Sequence, residues 1–248
     1  MSIGLIALLF IAGFLSGAVN AIAGGGTFLT FGAMTLVGVP PISANATSSI
    51  VQFPGYITST LAYGAELRQM WKSALALGIV SALGALGGAL FLMSLSNPAF
   101  RDLVPWLLIG ATAVFAAGPW LRPRSAGESH PATPLGMAVQ TLTSFYGGFF
   151  GAGMGIMMLA SLSLASGGSY HRLNALKNFL SIVIAAVAIL VFTAAGAISW
   201  LHAAIMVPAV AVGGYAGVSL ARRVSQSLLR WLVVAAGTGL AIYYFVTG

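Results

Sequence analysis

The chain has 248 residues, of which only 13 are charged, while 59% are hydrophobic and the formal net charge is +7. A soluble domain carries about a quarter of its residues as charges, so most of this surface faces something other than water. The complete absence of cysteine excludes disulfides, thiol catalysis and cysteine-ligated metal.

The first apolar stretch, Ser2–Ile22, is long enough to cross a bilayer, which takes about 20 residues. It lacks a positively charged leader and runs into glycines rather than a cleavage site, so it reads as part of the mature protein. The glycine break is Ala23-Gly24-Gly25-Gly26, followed by a shorter apolar segment, Thr27–Val37, and a turn at Pro40-Pro41. Three further helices follow, with apolar stretches at Ser73–Met93 and Leu103–Leu121. Residues 122–133, rich in proline with Arg122, Arg124, Glu128 and His130, read as a linker. A second apolar helix then meets a second break, Gly151-Ala152-Gly153-Met154-Gly155, a short segment Ile156–Leu164 and a polar turn Ser166–His171. Apolar stretches Ser181–Trp200, Leu201–Ala221 and Leu228–Val246 complete the chain. Helices satisfy their own backbone hydrogen bonds, as lipid requires, and the alternation of a β-barrel is absent. The expected fold is an all-α polytopic membrane protein.

The chain is written twice. An offset of 129 residues matches Asn45-Ala46 to Asn174-Ala175, Trp71 to Trp200, Gly84 to Gly213, Gly88 to Gly217, Arg101 to Arg230 and Gly110 to Gly239. Upstream, an offset of 131 matches Phe14 and Gly17 to Phe145 and Gly148. The expected units are a first membrane repeat at 1–121, a cytoplasmic linker at 122–133 and a second repeat at 134–248. Each repeat is a glycine-broken hairpin plus three transmembrane helices. If the second repeat is inverted, nine of the ten Lys and Arg residues fall on the linker side, and only Arg101 falls opposite. Parallel repeats would split them four against six. Cytoplasmic loops carry the positive excess, so inversion is expected, with both termini outside. Length alone leaves open whether the hairpins cross fully or stop at mid-membrane.

Paired interrupted helices in inverted halves point to a transporter site. A helix restarting after a break aims unpaired N–H groups and its positive dipole end at the gap, which suits an anion. The candidate substrate-binding residues are Gly24, Gly25, Gly26, Thr27, Asn45, Ser48, Ser49 and Gln52 in the first half. In the second half they are Gly151, Gly153, Gly155, Asn174, Lys177 and Asn178. Asn20, Ser144, Tyr146 and Ser181 are further polar residues near the breaks. Each Ser, Thr or Asn could equally join or cap helices, and Lys177 could be an interfacial lysine reaching water. The spaced pairs Gly13/Gly17, Gly84/Gly88 and Gly213/Gly217 read as helix-packing glycines. Tyr56, Tyr63, Trp71, Trp106, Trp120, Trp200 and Trp231 read as an interfacial belt. His171 and His202 are expected in turns and His130 in the linker, with no metal-ligand spacing; no metal or cofactor is expected. Glu66, Asp102 and Glu128 are expected in loops, so no carboxylate is placed to relay protons. No nucleophile–base pair or phosphate loop is legible, and the chain does not read as an enzyme or a nucleic-acid binder.

The run through Ala23-Gly24-Gly25-Gly26 to Ala44-Asn45-Ala46-Thr47 resembles the sulfite exporter TauE/SafE family. So do Tyr146-Gly147-Gly148-Phe149-Phe150-Gly151-Ala152-Gly153 with Gly155, and Leu173-Asn174-Ala175 with Lys177-Asn178. The resemblance implies transport, as an exporter in a bacterial inner membrane, of small sulfur-containing anions such as sulfite or organosulfonates of the sulfoacetate kind. It implies alternating access around a central anion site. An anion leaving a negative-inside cell gains about 2.3 kcal/mol per charge per 100 mV, so export needs no coupling ion. A passive anion channel and a non-transporting membrane assembly protein remain alternatives. Expected partners are a small anionic substrate and the lipid bilayer, with homo-oligomerisation left open.

Overall fold

The computed structural model describes residues 2–22, 25–121, 133–220 and 226–247. Gly24, the linker residues Arg122, Arg124, Glu128 and His130, and Arg222 and Arg223 lie outside the described residues. All regular structure described is helical. The elements are α1 (Ile3–Ile22), α2 (Gly26–Leu36), α3 (Pro41–Ala62), α4 (Gly64–Gln69), α5 (Trp71–Ser94) and α6 (Asn97–Ala116). They continue with α7 (Gly118–Leu121), α8 (Pro134–Phe149), α9 (Met154–Ser166), α10 (Tyr170–Ala194), α11 (Trp200–Leu220) and α12 (Gln226–Thr247).

Among the described residues, five helices are long and apolar enough to cross a membrane: α1, α5, α6, α10 and α12. The hairpins are therefore unequal. α1, with 20 residues, could span by itself, whereas its counterpart α8 has 16. α3 is also long, at 22 residues, but it carries Asn45, Thr47, Ser48 and Gln52, all buried against the protein rather than lipid. That is why α3 escapes a hydropathy reading yet packs at the centre.

Caps place the helix ends where apolar runs do not. Ser96 accepts from the Ala99 N–H at 3.3 Å and Ser169 from the Arg172 N–H at 3.5 Å. Capping by a serine hydroxyl lets a helix begin in polar sequence. α6 therefore starts six residues before its apolar run, and Asp102 lies within it rather than in a loop. α10 likewise starts at Tyr170, so His171 is helical, as is His202 in α11. Glu66 falls on α4. Gly196, at φ +66°, closes α10, so the apolar run Ser181–Trp200 is cut at Ala194 by a conformation that glycine adopts without strain. Trp106 stands in the middle of α6, edge-on to Phe245, not at a helix end. Pro41 opens α3 at its first turn, where a missing N–H costs nothing.

Four helix pairings organise the molecule. α1 lies parallel to α11: Gly13 faces Met206 and Ala209, and Gly17 faces Val210 and Gly214. α5 lies parallel to α8: Gly84 faces Thr141 and Ser144, and Gly88 faces Phe145 and Phe149. At Gly88 an added Cβ would strike the Phe145 carbonyl, and at Gly213 the Phe14 carbonyl. Such close backbone approach is what small residues permit between membrane helices. α3 and α10 run antiparallel. Near the start of α3, Thr47 Oγ1 accepts from the Ser199 N–H beyond the end of α10, at 2.9 Å. At the other end, Asn174 Nδ2 donates to the Tyr63 hydroxyl at 3.2 Å. α6 and α12 are also antiparallel, with the Arg101 guanidinium donating to the Thr247 carbonyl.

Candidate functional site

The second glycine break and residues flanking the first come together beside the antiparallel α3–α10 pair. An open cavity of about 450 Å³ is lined by Asn20 and Thr27 from the first hairpin and by Tyr56 and Ser59 from α3. Gly151, Gly153, Met154 and Gly155 contribute from the second break, and Lys177, Asn178 and Ser181 from α10. A second cavity of about 320 Å³ adjoins it, sharing Thr27, Tyr56, Gly151 and Met154 and adding Ser48, Ser49, Gln52, Gly147, Phe150, Ile184 and Ala185.

The second break owes its shape to glycine. Gly151 and Gly153 have φ of +75° and +74°, a region that side chains with a Cβ rarely enter. Gly153 stands immediately before α9 as its N-cap; the Met154 N–H donates to the Gly151 carbonyl at 3.2 Å and the Ile156 N–H to the Gly153 carbonyl at 3.1 Å, so the N–H left over in this first turn is that of cavity-lining Gly155. Tyr146 ties the bend down, its hydroxyl donating to the Ala152 carbonyl at 2.7 Å. Lys177 is the eighth residue of α10, about 10 Å along its axis. Its aliphatic stem runs past Gly155, where an added Cβ would lie 3.8 Å from Lys177 Cδ. Asn178 and Ser181 are buried on the same side, and the Ser181 hydroxyl donates to the Lys177 carbonyl at 2.8 Å.

The first break is packed differently. A Cβ on Gly25 would press on Phe115 of α6 and Val233 of α12. One on Gly26 would meet Ser16 and the Gln52 amide. These glycines let helices approach, and Thr27 is the residue that reaches both cavities. Asn45 and Asn174 are ties rather than cavity linings: Asn45 Nδ2 donates to the Phe149 carbonyl at 2.9 Å, and Asn174 to Tyr63. Ser48, Ser49 and Gln52 line the second cavity.

The profile of the sulfite exporter TauE/SafE family matches residues 9–244. The chain belongs to the TauE/SafE family. Over 240 residues it is 28% identical to a "Probable membrane transporter protein ORF9" of Sinorhizobium, spanning 96% of this chain and 91% of that one. A "Probable membrane transporter protein" of Haemophilus influenzae is 27% identical over 239 residues, 94% of this chain and 92% of its own. The Escherichia coli protein YfcA, of the same description, is 26% identical over 231 residues, 93% and 86% of the two chains. The chain is thus a multi-pass membrane protein of a transporter family.

In this TauE/SafE chain, six residues of the expected site stand together at the larger cavity: Thr27, Gly151, Gly153, Gly155, Lys177 and Asn178. Tyr56, Ser59 and Met154 line it too and were not expected there. Tyr56 reads as a belt residue from sequence, because an aromatic near a helix end is usually interfacial. The available signal is its position four residues after Gln52, one turn along the same face of α3.

Proposed function

We propose that this protein transports small sulfur-containing anions, such as sulfite or organosulfonates, outward across a bacterial inner membrane. The observation that carries the reading is the cavity in which Lys177, Asn178 and the opening of α9 meet Thr27 and Asn20 of the other hairpin. A cation, amide donors and a helix N-terminus facing one space suit an oxyanion. Glycine at the break lets such an ion approach the backbone.

The two halves act as inverted repeats around this site. The packing favours that reading: Gly88 of α5 meets Phe145 of α8, and Gly213 of α11 meets Phe14 of α1, matching phenylalanines on matching helix pairs, with the glycine one turn earlier in the second half. The antiparallel α3–α10 and α6–α12 pairs are what a two-fold axis in the membrane plane produces between equivalent helices. Tyr63 against Asn174 also brings Arg68, Lys72 and Arg172 to one end, while Arg101 sits at the other beside Thr247. That separation agrees with a cytoplasmic linker side. Alternating access then consists of the hairpins moving against the central pair.

Purified protein in liposomes tests this. Saturable counterflow of labelled sulfite or a small organosulfonate, reduced by Lys177→Gln, is expected. Non-saturable conductance without counterflow would make the protein a channel, and no flux of any anion would overturn the reading.

A further inference from the structure

The two adjoining cavities share the Thr27 and Tyr56 hydroxyls and differ in what else lines them. The larger one adds donors: the Lys177 ammonium, the side-chain amides of Asn20 and Asn178, and the Gly155 N–H at the start of α9. The polar residues found only in the smaller one offer acceptors. Its Ser48 hydroxyl donates to the Ala44 carbonyl at 2.9 Å and its Ser49 hydroxyl to the Asn45 carbonyl at 3.5 Å. Their protons are used within α3, and Ser48 Oγ also accepts from the Thr30 hydroxyl at 3.2 Å, which leaves one lone pair on Ser48 and those of Ser49. Gln52 is fixed in the same sense. Its Nε2 donates to Ser16 Oγ at 2.5 Å, and Ser16 Oγ donates in turn to the Gly26 carbonyl at 2.8 Å. This chain orients the amide, because Ser16 has spent its only proton. The Gln52 Oε1 is therefore the outstanding group. It is buried, and no donor among the described residues reaches it. Buried carbonyl oxygens are ordinarily paired. Opposite this wall stand Phe150, Met154, Ile184 and Ala185, a surface for carbon rather than for a second charge.

An inorganic oxyanion has no group that fits the smaller cavity. Beyond the shared Thr27 and Tyr56 hydroxyls, its oxygens would face oxygens on one side and hydrocarbon on the other. A ligand that fits both spaces is anionic at one end, has a short carbon tail, and carries a hydrogen-bond donor on that tail. We propose that the cargo is a short-chain organic oxyanion bearing an O–H or N–H donor, held with its anionic head at Lys177 and its donor at Gln52. Gln52 is then the residue that separates such cargo from bare oxyanions and from plain alkyl analogues. Sites built to pair with a substrate donor discriminate strongly against the analogue lacking it, because a buried acceptor is otherwise left unpaired.

This rests on the anion-site reading above, and the test separates the two. Affinities of the purified full chain in lipid nanodiscs are measured by calorimetry for sulfite, 1-propanesulfonate and 2-hydroxyethanesulfonate. The two sulfonates match in size and differ by a methyl against a hydroxyl. The hydroxyl compound is expected to bind at least tenfold tighter than the propyl one. Gln52→Leu should shrink that preference to within twofold, while Lys177→Gln should weaken both sulfonates alike. If Gln52→Leu does not fold, the comparison in the unaltered protein decides alone. Equal binding of the two sulfonates, with sulfite binding as well, would leave Oε1 to a bound water and sink the tail site while the anion site stands. A preference that survives in Gln52→Leu would also overturn it, and binding of none of the three would remove both readings.

Discussion

Asn45 on α3 holds the carbonyl of Phe149, the last residue of α8, at 2.9 Å across 104 residues of chain. It thereby fixes the carbonyl end of α8 just ahead of the glycine turn, while its own Oδ1 is buried with no partner among the described residues. Removing the donor leaves a buried carbonyl without a partner, which costs about 1–3 kcal/mol. Asn45→Leu is expected to lower thermal stability by that order. Asn45→Asp should cost at least as much, because a carboxylate cannot donate. Thermal unfolding in detergent, followed by tryptophan fluorescence, gives the measurement; an unchanged midpoint in both variants would show that the tie carries no weight.

The glycines sort into three environments with three outcomes. Gly153 is at φ +74° and lines the cavity, so Gly153→Ala strains the backbone at the site. It should reduce transport strongly while the protein still inserts, at a stability cost on the order of 1 kcal/mol. Gly88→Ala drives a Cβ into the Phe145 carbonyl, so loss of folded protein is expected. Gly110 has open space around it, and Gly110→Ala should change nothing. Expression, monodispersity and flux measured on all three would separate the roles. Normal flux in Gly153→Ala would take that turn out of the substrate path.

Lys177 is expected to act through the site and not only through topology. Lys177→Gln should weaken anion binding at least tenfold, about 1.4 kcal/mol, with expression unchanged. Lys177→Arg should not restore it, since a planar guanidinium does not replace a compact ammonium. Calorimetry at low and moderate salt gives the reading. Unchanged affinity in the Gln variant would return the residue to the interface.

Orientation is open to chemistry because the chain has no cysteine of its own. Ala99 and Ala195 are exposed at one end of the helices, Gln69 and Leu135 at the other. With inverted repeats, single cysteines at 99 and 195 should react with an impermeant thiol reagent in intact cells, and those at 69 and 135 should be shielded. Labelling of 99 and 195 from opposite sides would end the inverted reading.

Backbone chemistry was readable in advance, and side-chain direction less so. Gly151 and Gly153 announce a break because nothing else tolerates their conformation, and repeated glycines announce close helix contact. Lys177 and Asn178 could be singled out because ionisable and amide groups are rare in lipid. Tyr56 and Ser59 could not, since which face of α3 meets a cavity depends on where α10 docks. Gly25 and Gly26 show the converse. A glycine cluster tells that something comes close, and here it is Phe115, Val233, Ser16 and Gln52 rather than open space. The starts of α6 and α10, which take in Asp102 and His171, were obscured because caps, not hydropathy, set them.

The fit of α1 onto α11 imposes an order on how this protein is made. α1 is synthesised first, but the surface its Gly13 and Gly17 need is carried by Met206, Ala209 and Val210. At ribosomal speeds of about 5–20 residues per second, those residues follow α1 by roughly ten to forty seconds. For that interval the first helix lacks α11, and its glycine seam faces lipid or the insertion machinery.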